Sequence, residues 1–403
     1  MNWLIIGGIP VFLLACTPSA IEQPSSEQYA EKKPLAPPLP GQGLQLRMTK
    51  TIAAGNESYG CRLFQMPEED LFVHEQTVDF SAGGHHILLY KTPYVEIPER
   101  DVNGEFVLGS EVHDCSEGVT ARWKVESVLG GSEIFDHPGM FRGLPEGVAV
   151  RLPKKTVVVM SVHYLNASSV ETEVDARVNL STIPENSVAM EAGLLYLDNQ
   201  LLHVRSRRPS TARMRCPVPS DVFIVNLQSH LHARGVGFAA LFWPENGLDA
   251  EVVYETKKCL APPLVTYEPY LTLHAGDVLE TRCDFQNHET RDIGYGPRST
   301  DEMCQLIGPY FPRDEHFEKC ADGGGHLAAE WVGQGTADGA TTRNCLDCAA
   351  KVGDSDYAAC VLDACPAIGD RVSAVVRCEM TRGLKAAACD GEKNALSKSA
   401  CLD

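Results

Sequence analysis

Short hydrophobic runs bounded by turn-forming residues recur along most of this chain, and they restrict the folds it can adopt. Examples are Phe106 to Leu108, Thr156 to Tyr164, Val222 to Gln228 and Val278 to Phe285, with Gly, Pro, Asn and Asp between them. Short runs rich in β-branched residues favour strands over helices. The 34 Gly and 25 Pro also suit a protein rich in turns. We therefore expect an all-β fold built from antiparallel sandwiches.

A break in the strand pattern divides the middle of the chain into two comparable halves. Pro184-Glu185-Asn186 lies between the strand-like segments Val174 to Leu180 and Ala189 to Tyr196. A chain of 403 residues is also too long for one ordinary hydrophobic core. We expect two β-sandwich domains, at residues 46–186 and 187–320.

The cysteines point to an oxidising compartment and to a distinct C-terminal segment. The chain has 15 cysteines, and seven of them lie between residues 345 and 401, where Ala and Gly are also frequent. Many cysteines in one exported chain indicate disulfides. We expect residues 321–403 to form a separate disulfide-stapled tail. Cys345-x-x-Cys348 also allows a zinc or redox site.

The N-terminal residues predict export and lipid anchoring. The apolar run Leu4 to Leu14 is too short to span a bilayer and leads into Leu13-Leu14-Ala15-Cys16, which resembles a bacterial lipobox. Residues 1–16 would then be a lipoprotein signal peptide with Cys16 lipidated, although an ordinary cleaved signal is the alternative. Residues 17–45 are rich in Pro, Ser and Glu and predict a tether. We expect a protein held by its lipid at the bacterial outer membrane, in the periplasm or at the cell surface, with no other membrane contact.

The charge balance argues against nucleic acid as a partner. The net charge is −19, from 35 basic and 54 acidic residues. Phosphate binding requires concentrated Lys and Arg, so this composition indicates a soluble acidic surface instead.

A pair of adjacent histidines and a single strand histidine are the first candidate ligands. His85 and His86 follow Gly83 and Gly84 at the start of an apolar run. Adjacent strand residues point to opposite faces, so both imidazoles reach one metal only if the backbone is distorted, which the glycines permit. His163 lies in a strongly β-forming run. Each has a structural alternative as a hydrogen-bonded histidine.

A second candidate set combines two histidines with a methionine. His230 and His232 are separated by one residue, and the two-residue period of a strand places them on the same face. Met303 follows Asp301-Glu302 and precedes Cys304. A methionine alone is more often core filler. A thioether beside two imidazoles, however, selects copper and favours its reduced state.

Taken together and in order, these pieces resemble the copper type II ascorbate-dependent monooxygenases. The resemblance covers about residues 46–320 and implies two jelly-roll-like antiparallel β-sandwich domains. The matching motifs are His85-His86, Val162-His163-Tyr164, His230-x-His232 and Asp301-Glu302-Met303-Cys304.

The resemblance implies a catalytic role and a set of ligands. The family hydroxylates a C–H bond of a small substrate with dioxygen and ascorbate or another small reductant, and it uses two copper ions held in different domains. A cleft between the domains would keep the two ions apart. The electron-supplying copper would be bound by His85, His86 and His163. The catalytic, oxygen-activating copper would be bound by His230, His232 and Met303.

The resemblance also implies disulfides Cys61–Cys115, Cys283–Cys304 and Cys216–Cys320. Cys259 would pair with one tail cysteine and dock the tail, or alternatively with Cys320. We expect a monomer.

The peptide-amidating branch of the family holds a substrate carboxylate with residues that are absent here. The corresponding positions are Gln228, Gln305 and Ile307. Recognition of a C-terminal carboxylate is therefore not expected, because no guanidinium is present for a paired contact. Candidate substitutes are Tyr310, Arg234 and Arg298. Among the other histidines, His113 and His137 are the best candidates to line a site.

Two other classes of function compete with the monooxygenase. A copper-binding lipoprotein for storage or delivery would keep the ligands without the pocket, but it has no need for two unlike ligand sets. An adhesion or interaction protein would use the β-sandwiches as a scaffold and the Cys-rich tail as its working end.

Overall fold

The computed structural model describes residues 34–81, 83–132, 139–245, 247, 249–259, 261–322, 324, 326–332, 362, 369–382 and 387–398. Within them the protein is mostly β-strand with few helices, so the all-β expectation is confirmed in its coarse form. None of the helices in the described ranges has the length and apolar character needed to cross a bilayer. The predicted signal peptide and Cys16 lie outside these residues.

Two five-stranded sheets are formed by the first half of the chain. Sheet A has the order β1-β9-β3-β7-β10 and sheet B the order β5-β2-β8-β4-β6. All pairings are antiparallel except β10 with β7. The strands are β1 (Gly43–Ile52), β2 (Glu57–Gln65), β3 (Leu71–Phe80), β4 (Gly84–Lys91), β5 (His113–Asp114), β6 (Ser127–Ser132), β7 (Val148–Leu152), β8 (Val157–Leu165), β9 (Thr172–Thr182) and β10 (Met190–Glu191).

The second half forms two further sheets. Sheet C has the order β11-β18-β13-β16 and sheet D the order β15-β14-β17-β12-β19. The strands are β11 (Gly193–Asp198), β12 (Pro209–Pro217), β13 (Val222–His230), β14 (Gly235–Trp243), β15 (Glu251–Thr256), β16 (Val265–Leu273), β17 (Val278–Gln286), β18 (Gln305–Phe311) and β19 (Glu330–Val332). The helices are α1 (Glu315–Glu318), α2 (Gly369–Arg382) and α3 (Asp390–Ser397).

Each pair of sheets shares a hydrophobic core. In β8, Val158, Met160 and Val162 belong to the core between sheets A and B. By the two-residue alternation of a strand, His163 points to the opposite face of sheet B. A second core lies between sheets C and D. Val225 and Ile307 of sheet C also join the first core, so the two halves are in contact.

Three disulfides each lie within one half of the chain, and they are the pairs that the resemblance implied. They are Cys61–Cys115, Cys216–Cys320 and Cys283–Cys304. The alternative pairing of Cys259 with Cys320 is therefore wrong, because Cys216 occupies that partner. Tail cysteines Cys378 and Cys389 bond to each other. The pairing of Cys259 with another tail cysteine stays a prediction, since residues 345, 348, 360, 365 and 401 lie outside the described ranges.

The described part of segment 321–403 packs on the core of the second half of the chain. β19 pairs with β12 and places Trp331 opposite Met214. The indole of Trp331 donates to Asn199, and Ser373 of α2 donates to the carbonyl of Trp331. Val372 and Leu396 of the helices are fully buried in the same core. Burial of this apolar surface attaches the segment to sheet D.

Two smaller expectations also differ from the structure. Phe106 to Leu108 is not a strand: Phe106 forms an isolated bridge with Arg100 and is 70% exposed. The predicted tether does not extend to residue 45, because β1 begins at Gly43 and the carbonyl of Leu35 accepts a hydrogen bond from Arg177. Side-chain hydrogen bonds therefore bind the end of the predicted tether to sheet A.

Strand β6 pairs with β4, the strand that carries His86. A substitution at Gly131 in β6 tests how much this pairing contributes to stability. Its φ is +142°, and an added Cβ would collide with the carbonyl oxygen of Ile87 in β4. We expect Gly131→Ala to lower the free energy of unfolding by about 2 kcal/mol or more, because the side chain is disfavoured at this φ and the backbone contact cannot yield. Denaturant unfolding measures this. Gly294→Ala, where no atom lies within 4 Å of the added Cβ, should change stability little; similar losses for both variants would contradict the prediction.

Candidate functional site

A row of three rings crosses sheet B. Tyr59 of β2 and His86 of β4 both lie directly opposite His163 of β8. Directly opposed residues in antiparallel strands share a face, so the three side chains are neighbours. The ring of Tyr59 stacks on His163 at 4.1 Å between centroids, and the rings of His86 and His163 are 5.0 Å apart.

The backbone at the histidine pair is irregular, as the sequence argument required. Gly84 pairs with Tyr164 and His86 with His163, so two steps along β4 match one step along β8 and His85 is the extra residue. Such a bulge interrupts the strict alternation of faces. Gly83 has φ +86°, and an added Cβ would lie 2.7 Å from the carbonyl oxygen of Leu165. The glycine therefore lets β4 approach β8 closely at this point.

The carboxylate of Glu57 contacts one ring nitrogen of His163. Nε2 of His163 is 2.6 Å from Glu57 Oε1, which also accepts a hydrogen bond from the hydroxyl of Tyr59 at 2.6 Å. Burial raises the pKa of Glu57, but hydrogen bonds from Tyr59 and His163 and the charge of His163 outweigh it, so the pKa lies below its ordinary value. An imidazole that donates through Nε2 carries its lone pair on Nδ1, the nitrogen suited to a metal.

The His-x-His pair is assembled by a buried glutamate as well as by the strand. β13 ends at His230, and His232 lies beyond it. The backbone N–H of His232 donates to Glu302 at 3.0 Å, and its Nδ1 lies 2.9 Å from the carbonyl oxygen of Asp301. The rings of His230 and His232 are 5.2 Å apart. Donation through Nδ1 directs the lone pair of His232 to Nε2.

Glu302 fixes the loop that carries Met303. It is fully buried and also accepts the backbone N–H of Arg234 at 2.8 Å. Burial raises the pKa of Glu302 above its ordinary value, against the hydrogen bonds from Arg234 and His232. Cys304, the next residue after Met303, is bonded to Cys283 of β17. The methionine is thus held between a buried carboxylate and a disulfide.

Met303, His230 and His86 line one cavity of about 500 Å³ between the two halves of the chain. This volume suits a small organic ligand. Its wall includes Tyr90 and Tyr295 and the carboxylate of Asp198. The aromatic and acidic character of this wall was not predicted from the sequence.

The two candidate ligand sets meet directly. The rings of His86 and His230 are 5.5 Å apart between centroids. The expectation that a cleft keeps the two sets apart is therefore wrong for this conformation, because the strands that carry them face one another across the seam between the halves.

Polar contacts close this seam beside both sets. Ser299, in the loop before Met303, donates its hydroxyl to Glu57 Oε2 at 3.1 Å and its backbone N–H to the hydroxyl of Tyr59 at 2.9 Å. Arg298 forms an ion pair with Glu117. We call Glu57, Tyr59, Glu117, Arg298 and Ser299 the clasp. Glu57 thus contacts both a candidate ligand and the opposite half.

The donor chemistry at these positions fits copper. His86 and His163 are adjacent imidazoles, and the side chain of His85 lies outside the described atoms. His230, His232 and Met303 combine two imidazoles with a thioether, a set that favours copper over hard cations. Among the described residues, no group of three or more His, Cys, Asp or Glu side chains is arranged to hold a metal ion. The third candidate donor of the second set is a methionine, which lies outside that group of residue types.

Other residues considered as site residues have structural partners. His113 packs against Trp123 with 5.6 Å between the ring centroids and does not line the cavity; His137 lies outside the described residues. Arg234 binds Glu289, and Tyr310 donates to the carbonyl of Asp314. Both side chains are therefore engaged by other parts of the protein.

The described residues are mostly β-strand and bring two pairs of imidazoles close together, and His86, His230 and Met303 line one cavity. Residues 190–327 match the model of the C-terminal domain of the copper type II ascorbate-dependent monooxygenases. The match includes His230, His232 and Met303 and supports this family, which depends on copper and ascorbate.

Two solved structures, both of infectious bursal disease virus, align with this chain. The Gx strain structure aligns over 67% of this chain and 70% of its own at 7% identity, with a TM-score of 0.16. The Gt strain structure aligns over 77% and 89% at 10% identity, with a TM-score of 0.14. These TM-scores are too low to indicate a common fold.

Replacing Glu57 by Gln tests its role in holding His163. Gln keeps a hydrogen-bond acceptor but removes the negative charge, so we expect a 10- to 100-fold loss of affinity for one copper ion, the range typical of such partners. Copper titration of the metal-free protein measures this. Glu75→Gln, on an exposed side chain of β3, is the control. Equal copper affinity for E57Q and the unmodified protein would show that Glu57 does not support the ligand.

Proposed function

We propose that this protein is a copper-dependent monooxygenase that hydroxylates a C–H bond of a small organic substrate with dioxygen and a reductant such as ascorbate. The observation that carries the proposal is the set His230, His232 and Met303 beside a cavity of about 500 Å³. A storage protein needs neither a thioether-bearing set distinct from an imidazole set nor an organic-sized cavity.

The two donor sets have different roles in this proposal. His85, His86 and His163 would hold the electron-supplying copper, and His230, His232 and Met303 the oxygen-activating copper. Copper would supply the redox chemistry, because each Cu(I) gives one electron and the balance R–H + O₂ + 2e⁻ + 2H⁺ → R–OH + H₂O requires two.

The chain itself contributes position and protection. Glu57 and the carbonyl of Asp301 each engage one nitrogen of a candidate ligand, which selects the tautomer of His163 and of His232. Glu302 and the Cys283–Cys304 disulfide hold the loop around Met303. The clasp closes the seam between the halves, and this limits access of water to the substrate cavity.

The proposal extends to the domains. We propose that sheets A and B, and sheets C and D, form two jelly-roll-like sandwiches close to the predicted boundaries 46–186 and 187–320. A shared core within each pair supports this. Residues 190 and 191 still pair with β7, whereas β11 begins in sheet C at Gly193, so the sheets change over between them.

The lipobox-like sequence before Cys16 supports a proposal about location. We propose that the protein is exported and anchored by lipid on Cys16. Cells labelled with a radioactive fatty acid should incorporate label into the unmodified protein and not into Cys16→Ser. Equal labelling of both would contradict the anchor.

The first functional test combines copper content with oxygen uptake in the presence of ascorbate and a panel of candidate substrates. We expect two copper ions per chain and substrate-stimulated uptake over many turnovers. Met303→Ile should abolish turnover while the copper of the imidazole set remains, because only the oxygen-activating set loses a donor.

His163→Ala is the matched contrast. It should weaken the electron-supplying copper and slow reduction, while the second set keeps all its donors. Normal turnover by Met303→Ile would exclude the assigned role of Met303. Two copper ions without uptake under any substrate would favour storage or delivery, and no copper would favour an interaction protein.

A further inference from the structure

The C-terminal segment formed by β19, α2 and α3 approaches the candidate site through Trp331. This residue of β19 lies beyond the matched residues 190–327 and is 4% exposed. Its backbone N–H donates to the hydroxyl of Ser373 in α2 at 2.6 Å. Arg377, one turn further along α2, donates to the carbonyl of Ala329 at 2.8 Å. Residues four apart lie on one face of a helix, so α2 holds the short strand that carries the indole at two points.

The indole of Trp331 donates to a buried asparagine. Its Nε1–H bonds to Oδ1 of Asn199 at 2.9 Å, and the backbone N–H of Leu201 donates to the same oxygen at 3.0 Å. Asn199 is fully buried, so solvent does not compete for this oxygen. Two N–H donors that meet at one oxygen also fix the orientation of the amide, because the reversed amide would place its own N–H groups against them.

Asn199 also contacts the residue that follows Met303. It directly follows β11, and its backbone N–H donates to the carbonyl of Cys304 at 3.0 Å. Cys304 directly precedes β18, so this bond extends the pairing of the two strands by one residue. Trp331 is thus joined to the loop of Met303 by two successive hydrogen bonds through Asn199.

The position of the Met303 sulfur depends on the backbone that carries it. A methionine side chain is unbranched and has three rotatable bonds, so its own structure does not fix the sulfur. A thioether is a weak copper ligand, and its contribution depends on the sulfur lying at bonding distance. Glu302 anchors the backbone before Met303. After it, Cys304 is held by the disulfide to Cys283 and by the N–H of Asn199.

We propose that Trp331 and Asn199 are positioning residues for Met303, so that the C-terminal segment completes the support of the oxygen-activating copper set. The indole keeps Asn199 in place, Asn199 holds the carbonyl of Cys304, and this contact fixes the backbone beside Met303. The inference rests on the proposed function, since it concerns one of its two copper sets. It gives the C-terminal segment, most of which lies outside the family match, a part in the site.

Binding of Cu(I) to the full-length protein tests this link without relying on turnover. Trp331→Phe keeps an aromatic ring in the core and removes the indole N–H. We expect about 10-fold weaker Cu(I) binding by the Met303 set, the lower end of the range for residues that support a ligand, and unchanged binding by the imidazole set. The X-ray absorption spectrum of the Cu(I) protein should also lose copper–sulfur scattering, which reports Met303 and not the histidines.

Trp243→Phe is the matched control. The indole of Trp243 donates to Glu280 at 3.0 Å, also in sheet D, and this glutamate binds Arg213 and Arg215. The control therefore removes an indole hydrogen bond of the same kind at a place without a link to Cys304. It should leave Cu(I) affinity and copper–sulfur scattering unchanged.

Asn199→Ala breaks the same link from the other side. It removes the acceptor of both N–H donors, so it should weaken Cu(I) binding by the Met303 set at least as much as Trp331→Phe. The double variant should lose no more affinity than Asn199→Ala alone, because both changes remove one interaction. Asn199→Ala also decides the question if Trp331→Phe does not fold.

Three results would overturn the positioning role. One is unchanged Cu(I) affinity and copper–sulfur scattering in a variant of either residue that is folded by circular dichroism. Another is equal weakening of both copper sets by Trp331→Phe, which would indicate a general loss of structure. The third is additive losses in the double variant.

The oxygen-uptake assay separates this inference from the proposed function. Copper–sulfur scattering that depends on Trp331, in a protein that takes up no oxygen with any substrate, would reject the monooxygenase and keep the positioning role. Substrate-stimulated uptake by the unmodified protein, with unchanged scattering and uptake in Trp331→Phe, would do the reverse.

Discussion

The register of two antiparallel ladders is the constraint on which the candidate site depends. Opposed residues on neighbouring strands must share a face, so Tyr59, His163 and His86 form one row across sheet B, and Asp198, Gln305 and His230 form another across sheet C. A shift of one residue in either ladder would turn its row away from the cavity. The buried cores beneath the two sheets hold that register, because a slip would expose apolar side chains.

The two rows meet at a seam that the clasp closes. Ser299 contacts Glu57 and Tyr59, so the same carboxylate supports His163 and joins the opposite half of the chain. Any movement that opens the seam must therefore also change the surroundings of His163. On the other side of the seam, the loop that carries Ser299 continues directly into Glu302 and Met303. The separation of the two ligand sets and the local geometry of each set are consequently linked through a few polar contacts, most of them partly exposed and individually weak.

Local features of the site were predictable from sequence, whereas long-range contacts were not. The bulge at His85 follows from two adjacent histidines that alternate on a strand and from the glycines before them. The outward direction of His163 follows from the alternation of β8. Glu57 and Ser299, however, are 242 residues apart, and no local period relates them. The register that aligns Asp198 of β11 with His230 of β13 likewise depends on a third strand, β18, which lies between them. Trp331 enters the core of the second half only because β19 joins sheet D.

The positive side chains near the cavity are paired with acids of the same protein. Arg234 is bound to Glu289 and Glu302, Arg298 to Glu117, and Lys319 to Glu315. Gln228 donates its amide to the carbonyl of Pro262. Each of these cations is thus neutralised by a neighbouring acid of the same protein, whereas Asp198 accepts hydrogen bonds from the neutral side chains of Gln200, Tyr295 and Gln305. The net charge of −19 does not by itself identify a ligand, because a site recognises charge through the few groups that line it and not through the composition of the whole chain.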